Sequence, residues 1–153
     1  MILPNWEMPN WCLNEVTIAH DDKSVINGIV DAIKQDQGLF MHILPINEDD
    51  EDECYEKWST KWDAQRVQIV KIADFYVDLT FETAWCPPVN LYDHMVENGY
   101  EIYAKYAEPG CDFCGLFADG GCEDYRLDDE LPGALMDYVT TLGLHKDSDE
   151  DED

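Results

Sequence analysis

An alternation of apolar and polar residues marks the strands of this sequence. The clearest strand is predicted over residues 75–85, where Phe75, Val77, Leu79 and Phe81 alternate with Tyr76, Asp78, Thr80 and Glu82. The same two-residue period predicts strands over 12–18, 65–71 and 100–107, and shorter ones over 113–117 and 123–127. Strands of this kind bury one face and leave the other polar, as is typical of antiparallel sheets.

A 3.6-residue period marks three helices between these strands. The first begins after Asp21 or Asp22, either of which is a good N-cap, and ends near Gly38. The second opens at Pro87-Pro88 and stops at Gly99, and the third covers residues 132–142. Residues 38–62 show no clear period and are predicted to be a long connection.

The order of elements predicts an α+β fold. Strands and helices follow one another as β-α-β-β-α-β, with extra strands and a C-terminal helix added. We therefore expect a ferredoxin-like antiparallel sheet with the helices on one face, formed by one domain over residues 8–145. Residues 1–7 are predicted to be a short extension, since Leu3-Pro4-Asn5-Trp6 is nearly repeated at residues 8–11. Residues 38–62 are predicted to be an acidic insertion loop. Residues 146–153 are predicted to be a disordered acidic tail.

Negative charge is the unusual property of the chain. There are 35 acidic residues against nine Lys and Arg, a net charge of −26. The runs at 48–53 and 147–153 hold twelve acids, so the rest of the chain still has 23 against nine bases. Nucleic acids and anionic membranes are excluded as direct ligands because they are bound through Lys and Arg. Basic proteins and cations remain, and solubility or adaptation to high salt is an alternative explanation.

The chain shows no signal peptide and no apolar run near the ~20 residues of a membrane helix. Six cysteines without a signal sequence indicate reduced thiols, so a cytoplasmic location is expected. With 45% hydrophobic residues, the chain has enough apolar surface to fold without a metal or disulfide.

Four spaced motifs carry a resemblance to a known family. They are Met8-Pro9-Asn10-Trp11-Cys12-Leu13-Asn14, Ser59-Thr60-Lys61-Trp62-Asp63-Ala64, Phe81-Glu82-Thr83-Ala84-Trp85-Cys86-Pro87-Pro88, and Tyr106-Ala107-Glu108-Pro109-Gly110 followed by Phe113 and Gly115. In this order, from residue 8 to about 120, the chain resembles the YubB ferredoxin-like domain family of phages and plasmids. The resemblance implies a ferredoxin-like fold without an iron–sulfur cluster, a mobile-element origin and a role on host machinery, but no reaction. The strong negative charge departs from ordinary members.

Acidic and aromatic side chains are predicted to share the polar face of the sheet. RNA-recognition modules use such a face for aromatic stacking among basic residues, and here the charges are reversed. Asp78 and Glu82 are four residues apart, about 13 Å along a strand, and carboxylates on neighbouring strands would complete a ladder resembling phosphates. The alternative is an ordinary solvated sheet face, or one covered by the C-terminal helix. The predicted partner-binding residues are Glu15, Tyr76, Asp78, Glu82, Glu101 and Tyr103, together with Asp49, Asp50, Glu51, Asp52 and Glu53.

A cysteine cluster offers an alternative chemistry. Cys111 and Cys114 have the C-x-x-C spacing of a zinc ligand pair, Cys122 follows, and Cys86 or His94 could supply a fourth ligand. No second C-x-x-C exists, so free thiols are the competing interpretation. The acidic run at 48–53 lacks the glycine of a calcium loop.

The sequence therefore predicts a protein that is not an enzyme and needs no cofactor. The four histidines are scattered and no nucleophile–base pair can be recognised. We expect a phage or plasmid nucleic-acid mimic that blocks the basic DNA- or RNA-binding surface of a host defence or DNA-handling complex, of the anti-CRISPR or anti-restriction type. The alternative is a small zinc-binding accessory domain whose charge serves solubility.

Overall fold

The computed structural model describes residues 10–144. Six strands and five helices follow the chain within that range: β1 (Trp11–Ala19), α1 (Lys23–Lys34), α2 (Leu39–Ile43), α3 (Glu51–Trp58), β2 (Gln65–Ile72), β3 (Tyr76–Ala84), α4 (Val89–Glu97), β4 (Glu101–Glu108), β5 (Phe113–Ala118), β6 (Gly121–Arg126) and α5 (Gly133–Thr141). The predicted α+β class is confirmed. The predicted segments 1–7 and 146–153 lie outside the described residues.

The strands form one antiparallel sheet in the order β2-β3-β1-β4-β5-β6. β1 and β3 lie inside the sheet and alternate between buried and less buried residues as their sequences predicted, except that Thr83 and Ala84 at the end of β3 are both buried. β2 and β6 are the edges and are largely exposed. Two register shifts interrupt the pairing of β2 with β3, and Arg66 takes a left-handed φ of 51° at the first.

The main core lies between α1–α4 and one face of the sheet, which we call the inner face. Apolar residues of the central strands, such as Val16 and Leu79, meet buried side chains of all four helices there. Trp58 of α3 is fully buried, its ring 5.5 Å from that of Phe40, and its Nε1 donates to the carbonyl oxygen of Leu44 at 3.0 Å. A buried indole with a satisfied N–H anchors α3 without a desolvation penalty.

The C-terminal helix lies on the opposite face of the sheet, which we call the outer face. Leu135, Tyr138 and Val139 of α5 form a second cluster with Ala107 of β4 and Cys114 of β5. The prediction that the helices occupy one face is therefore right for α1–α4 and wrong for α5. The physical reason is that the outer-facing positions at the ends of β4 and β5 are themselves apolar and require a cover.

The predicted loop over residues 38–62 contains two short helices, α2 and α3. Asp63, just beyond this segment, holds α2 in place from its N-terminal end. Its Oδ1 accepts from the backbone N–H groups of Phe40 at 2.8 Å and Ala64 at 2.7 Å, and its Oδ2 accepts from Met41 at 3.0 Å. One carboxylate thus satisfies the first-turn donors of a helix that has no N-cap side chain of its own.

Candidate functional site

The predicted acidic side chains of the sheet do share the outer face. In the strand register Thr17 of β1 lies opposite Asp78 of β3, and Leu13 of β1 lies opposite Glu82 of β3. Glu15 lies on β1 midway between Leu13 and Thr17. On the other side of β1, Ala19 pairs with Glu101 of β4. Side chains alternate along a strand, so all four carboxylates project from the same face.

Basic side chains that are not among the predicted partner-binding residues also lie on this face. Arg66 binds Glu82 through two hydrogen bonds, from Nε at 2.7 Å and from an Nη at 3.1 Å. Lys105 lies 3.5 Å from Glu15. Lys71 pairs in register with Asp78, whose Oδ1 accepts a 2.6 Å hydrogen bond from the Thr17 hydroxyl.

The same three bases stack on the aromatic side chains of the outer face. Arg66 lies 4.4 Å from the ring centre of Trp11, and Lys71 lies 5.4 Å from that of Tyr76. Lys105 lies 5.8 Å from the ring of Tyr103 and 5.9 Å from that of Tyr138 in α5. Each base therefore has an aromatic and an acidic neighbour, which holds it in place.

These contacts correct the predicted phosphate-like ladder. The outer face carries a network in which Arg66, Lys71 and Lys105 alternate with the carboxylates, and α5 covers part of the face beside Glu15. Opposite charges at 3–4 Å cancel most of each other's field at longer range. The outer face is therefore much closer to neutral than its acidic residues alone suggested.

The acidic run at 48–53 belongs to the helical layer rather than to this face. Asp50 is the N-cap of α3, its side chain accepting from the N–H of Glu53 at 3.2 Å, and Glu51, Asp52 and Glu53 form the first turn. Carboxylates are favoured there because the unpaired N–H groups and the helix dipole make the N-terminus positive. Since α3 packs on the inner face, the predicted partner-binding residues divide between two sides of the sheet.

The remaining acids are spread over the body. Residues 10–144 hold 28 acidic and eight basic residues, and the ion pairs within this range involve only Glu15, Glu82, Asp112 and Asp128. In the helical layer, Glu56 of α3 lines a surface depression with Asp93 and Glu97 of α4. Burial, reinforced by the neighbouring charge of Glu97, raises the pKa of Asp93.

The predicted cysteine cluster is not assembled. Cys114 pairs in register with Tyr125, whereas Cys122 pairs with Phe117, three residues further along β5. The Cys114 side chain is buried in the α5 cluster on the outer face, and Cys122 lies beside Tyr106 on the other face. A tetrahedral zinc site needs sulfurs about 2.3 Å from one ion, and no group of three potential ligands meets this need within residues 10–144. Within residues 10–144 these cysteines therefore do not form the predicted zinc ligand set, and a zinc-binding role stays a prediction.

Comparisons with known proteins give no relative for this chain: it matches no family model, no curated protein and no solved structure. The resemblance to the YubB family thus stays a prediction. Between residues 10 and 144, none of the helices has the length and apolar character needed to cross a membrane.

Proposed function

We propose that this protein binds and blocks a basic nucleic-acid-binding surface on a partner protein or complex. One observation carries the proposal: acids outnumber bases 28 to eight in the folded body, and most of them have no basic neighbour. A surface of this kind attracts positively charged sites over a Debye length of about 10 Å at 0.1 M salt and speeds encounter with them. It repels nucleic acid itself.

The partner that fits best is a host defence or DNA-handling complex, and the proposed origin is a phage or plasmid. Support for this part comes from the motif resemblance together with the arrangement of strands. β1, α1, β2, β3, α4 and β4 give the sheet order β2-β3-β1-β4, which is the order of a ferredoxin-like β-α-β-β-α-β unit. In this proposal α2 and α3 are an insertion, and β5, β6 and α5 are a C-terminal addition.

Capture from a host lysate at low and high salt tests the proposal. The intact protein is the bait, and DNA or RNA is added as competitor to parallel samples. Recovery of a nucleic-acid-binding complex that is released by high salt and displaced by the competitor would support it. If the captured proteins are the same with and without competitor, the charge does not act on a nucleic-acid-binding surface.

Two triple variants with the same change in charge locate the contact. One neutralises Asp78, Glu82 and Glu101 of the outer face, and the other neutralises Asp49, Glu51 and Asp52 near α3, each with the corresponding amides. We expect the second set to weaken capture more, because outer-face carboxylates already have partners on the protein, Arg66 for Glu82 and Thr17 for Asp78. Equal loss from both sets would mean that net charge alone determines binding. Loss from the outer-face set only would restore the sheet face as the contact surface.

A further inference from the structure

A cavity of about 440 Å³ opens between the start of α4 and the β5–β6 hairpin. Its walls include Cys86, Pro87, Tyr106, Phe113, Cys122 and Asp124. It lies at the margin of the helical layer, where the sheet extends beyond α1–α4. Neither the acidic network of the outer face nor the acidic turn of α3 contributes to it.

A tyrosine–aspartate pair lines the cavity, with Tyr106 buried and Asp124 on the exposed edge strand β6. Tyr106 of β4 reaches across β5 and donates its hydroxyl hydrogen bond to Oδ1 of Asp124 on β6. Gly115, the β5 residue between them in the register, makes this possible, because a Cβ there would collide with the Tyr106 side chain and with the carbonyl oxygen of Glu123. Burial and the bond to Asp124 raise the pKa of Tyr106, so the hydroxyl remains a donor.

The hydrogen bond from Tyr106 orients the Asp124 carboxylate but uses only one of its two oxygens. Within the described residues, the hydrogen bond from Tyr106 engages only Oδ1, which leaves Oδ2 as an acceptor. The neighbouring thiols add no competing charge, since burial raises the pKa of both Cys86 and Cys122. The cavity thus presents one oriented carboxylate among otherwise neutral groups.

Aromatic and apolar surface surrounds this carboxylate. The rings of Tyr106 and Phe113 meet edge to face with centroids 6.3 Å apart, and Pro87 and Val89 complete the apolar wall. A carboxylate beside aromatic rings and an apolar wall matches a planar, weakly hydrated cation on an aliphatic stem, which is the guanidinium of arginine. An ammonium group is more strongly hydrated and gains less from such walls.

We propose that this cavity receives an arginine side chain of the basic partner. The inference rests on the proposed function for the identity of the partner, and it adds a specific anchor to an otherwise diffuse attraction. Buried arginines are common among the few residues that dominate interface energies. An anchor of this kind would fix the orientation of the complex, which long-range charge cannot do alone.

We call this cavity with its Asp124 carboxylate the socket. Backbone amide NMR with small probes tests whether the socket binds arginine in the absence of a partner protein. N-acetyl-arginine methylamide, the corresponding lysine compound and the uncharged citrulline compound are titrated into the intact protein. We expect saturable shifts at amides near Cys86, Phe113 and Asp124, with arginine binding more tightly than lysine and citrulline showing no saturation. Shifts spread evenly over the acidic surface, or equal binding of citrulline, would overturn the proposal.

Three variants complete the test. Asp124→Asn keeps the shape of the side chain and should weaken arginine binding at least tenfold, whereas Asp119→Asn makes the same charge change at the exposed tip of the hairpin and should have no effect. Tyr106→Phe retains the ring and should give an intermediate loss because Asp124 is no longer oriented. Equal binding by the two Asn variants would refute the socket.

The socket and the proposed function can fail independently. If lysate capture succeeds and Asp124→Asn leaves both it and arginine binding unchanged, the function stands and the socket is wrong. If arginine binds at Asp124 while no nucleic-acid-binding partner is captured, the proposed function fails and the socket stands.

Discussion

The carboxylate of Asp63 provides a sharp test of how the α2–α3 segment is held. Three backbone N–H groups, those of Phe40, Met41 and Ala64, converge on it at 2.7–3.0 Å. In Asp63→Asn one oxygen remains, so at least the amide of Met41 loses its acceptor and faces an NH₂ group instead. A hydrogen bond to a charged group contributes about 1.5–3 kcal/mol, and an unsatisfied buried donor costs about 1–3 kcal/mol.

Two effects oppose this loss. Burial raises the pKa of Asp63 despite the three amide donors, which shows that the ionised side chain bears a desolvation penalty that asparagine would avoid. Removing one of many acids also relieves repulsion across the protein. Together these effects should recover about 1 kcal/mol at most at a half-buried site. We therefore expect the free energy of unfolding to fall by about 2 kcal/mol.

Urea unfolding at pH 7, followed by tryptophan fluorescence, measures this change. With an m-value of about 2 kcal/mol/M for a domain of this size, the midpoint should fall by about 1 M. Asp36→Asn is the matched control, because Asp36 is exposed, lies in the α1–α2 connection that leads into α2, and loses the same charge. Its midpoint should stay constant or rise slightly. If Asp63→Asn unfolds at the same urea concentration as this control, the three amides do not depend on the carboxylate and the reasoning is refuted.

Three further predictions concern the sheet and its cover. Gly115→Ala should lower the free energy of unfolding by about 2 kcal/mol or more through overpacking, whereas Gly133→Ala in open space at the start of α5 should be neutral or stabilising in the same urea assay. Leu135→Ala should cost about 2–5 kcal/mol by leaving a cavity under α5, and a smaller loss would mean that α5 contributes little to the fold. Stability should also decline as the pH rises from 9 towards 11, because burial, with help from nearby acids, raises the pKa of Cys114 from 9.0 to about 11, so the unfolded chain loses the proton first. Across this pH range the urea midpoint should fall less steeply for Cys114→Ala than for the unaltered protein. Identical slopes for the two proteins would contradict the raised pKa of Cys114.

The elements that face a core on one side were predictable from the sequence. β1, β3 and β4 differ from their predicted bounds by one residue at each end, because an apolar inner face alternates with a more polar outer face over most of each strand. Phe75 illustrates the limit of the pattern: it continues the apolar series of β3, yet it lies before the strand and is about half exposed. Beyond the end of a strand, an apolar side chain can continue the sequence pattern without another element packing against it.

The helices of the 38–62 segment could not be found in this way. α3 is eight residues long and strongly acidic, and only Cys54 and Trp58 in it are buried, so it shows little periodicity. Its acidic first turn, read as a charged loop, was in fact an N-terminal helix signal. Asp63, five residues beyond α3, stabilises α2 through contacts 22 and 23 residues distant, and such pairing has no local signature.

The charge balance of the outer face was also hidden from the sequence. Arg66 and Lys71 belong to a strand whose register shifts twice against β3, so counting along the chain does not show which carboxylates they meet. Lys105 is the exception, because alternation along β4 assigns it to the same face as Glu101 and Tyr103. A prediction that included the bases of neighbouring strands as well as the acids would have given a surface of mixed charge rather than an acidic one.

The two edges of the sheet have opposite charge, and this affects how the protein behaves when it is crowded. β2 contributes Arg66 and Lys71 and no acid, whereas β6 contributes Glu123 and Asp124 against Arg126. Two β2 edges that meet would bring positive charges together, and two β6 edges would bring negative charges together. A β2 edge could attract a β6 edge, but the bulges in β2 interrupt the regular ladder that such pairing needs. Open-edged sheets tend to assemble into fibrils, and this one should instead remain dispersed when it is concentrated.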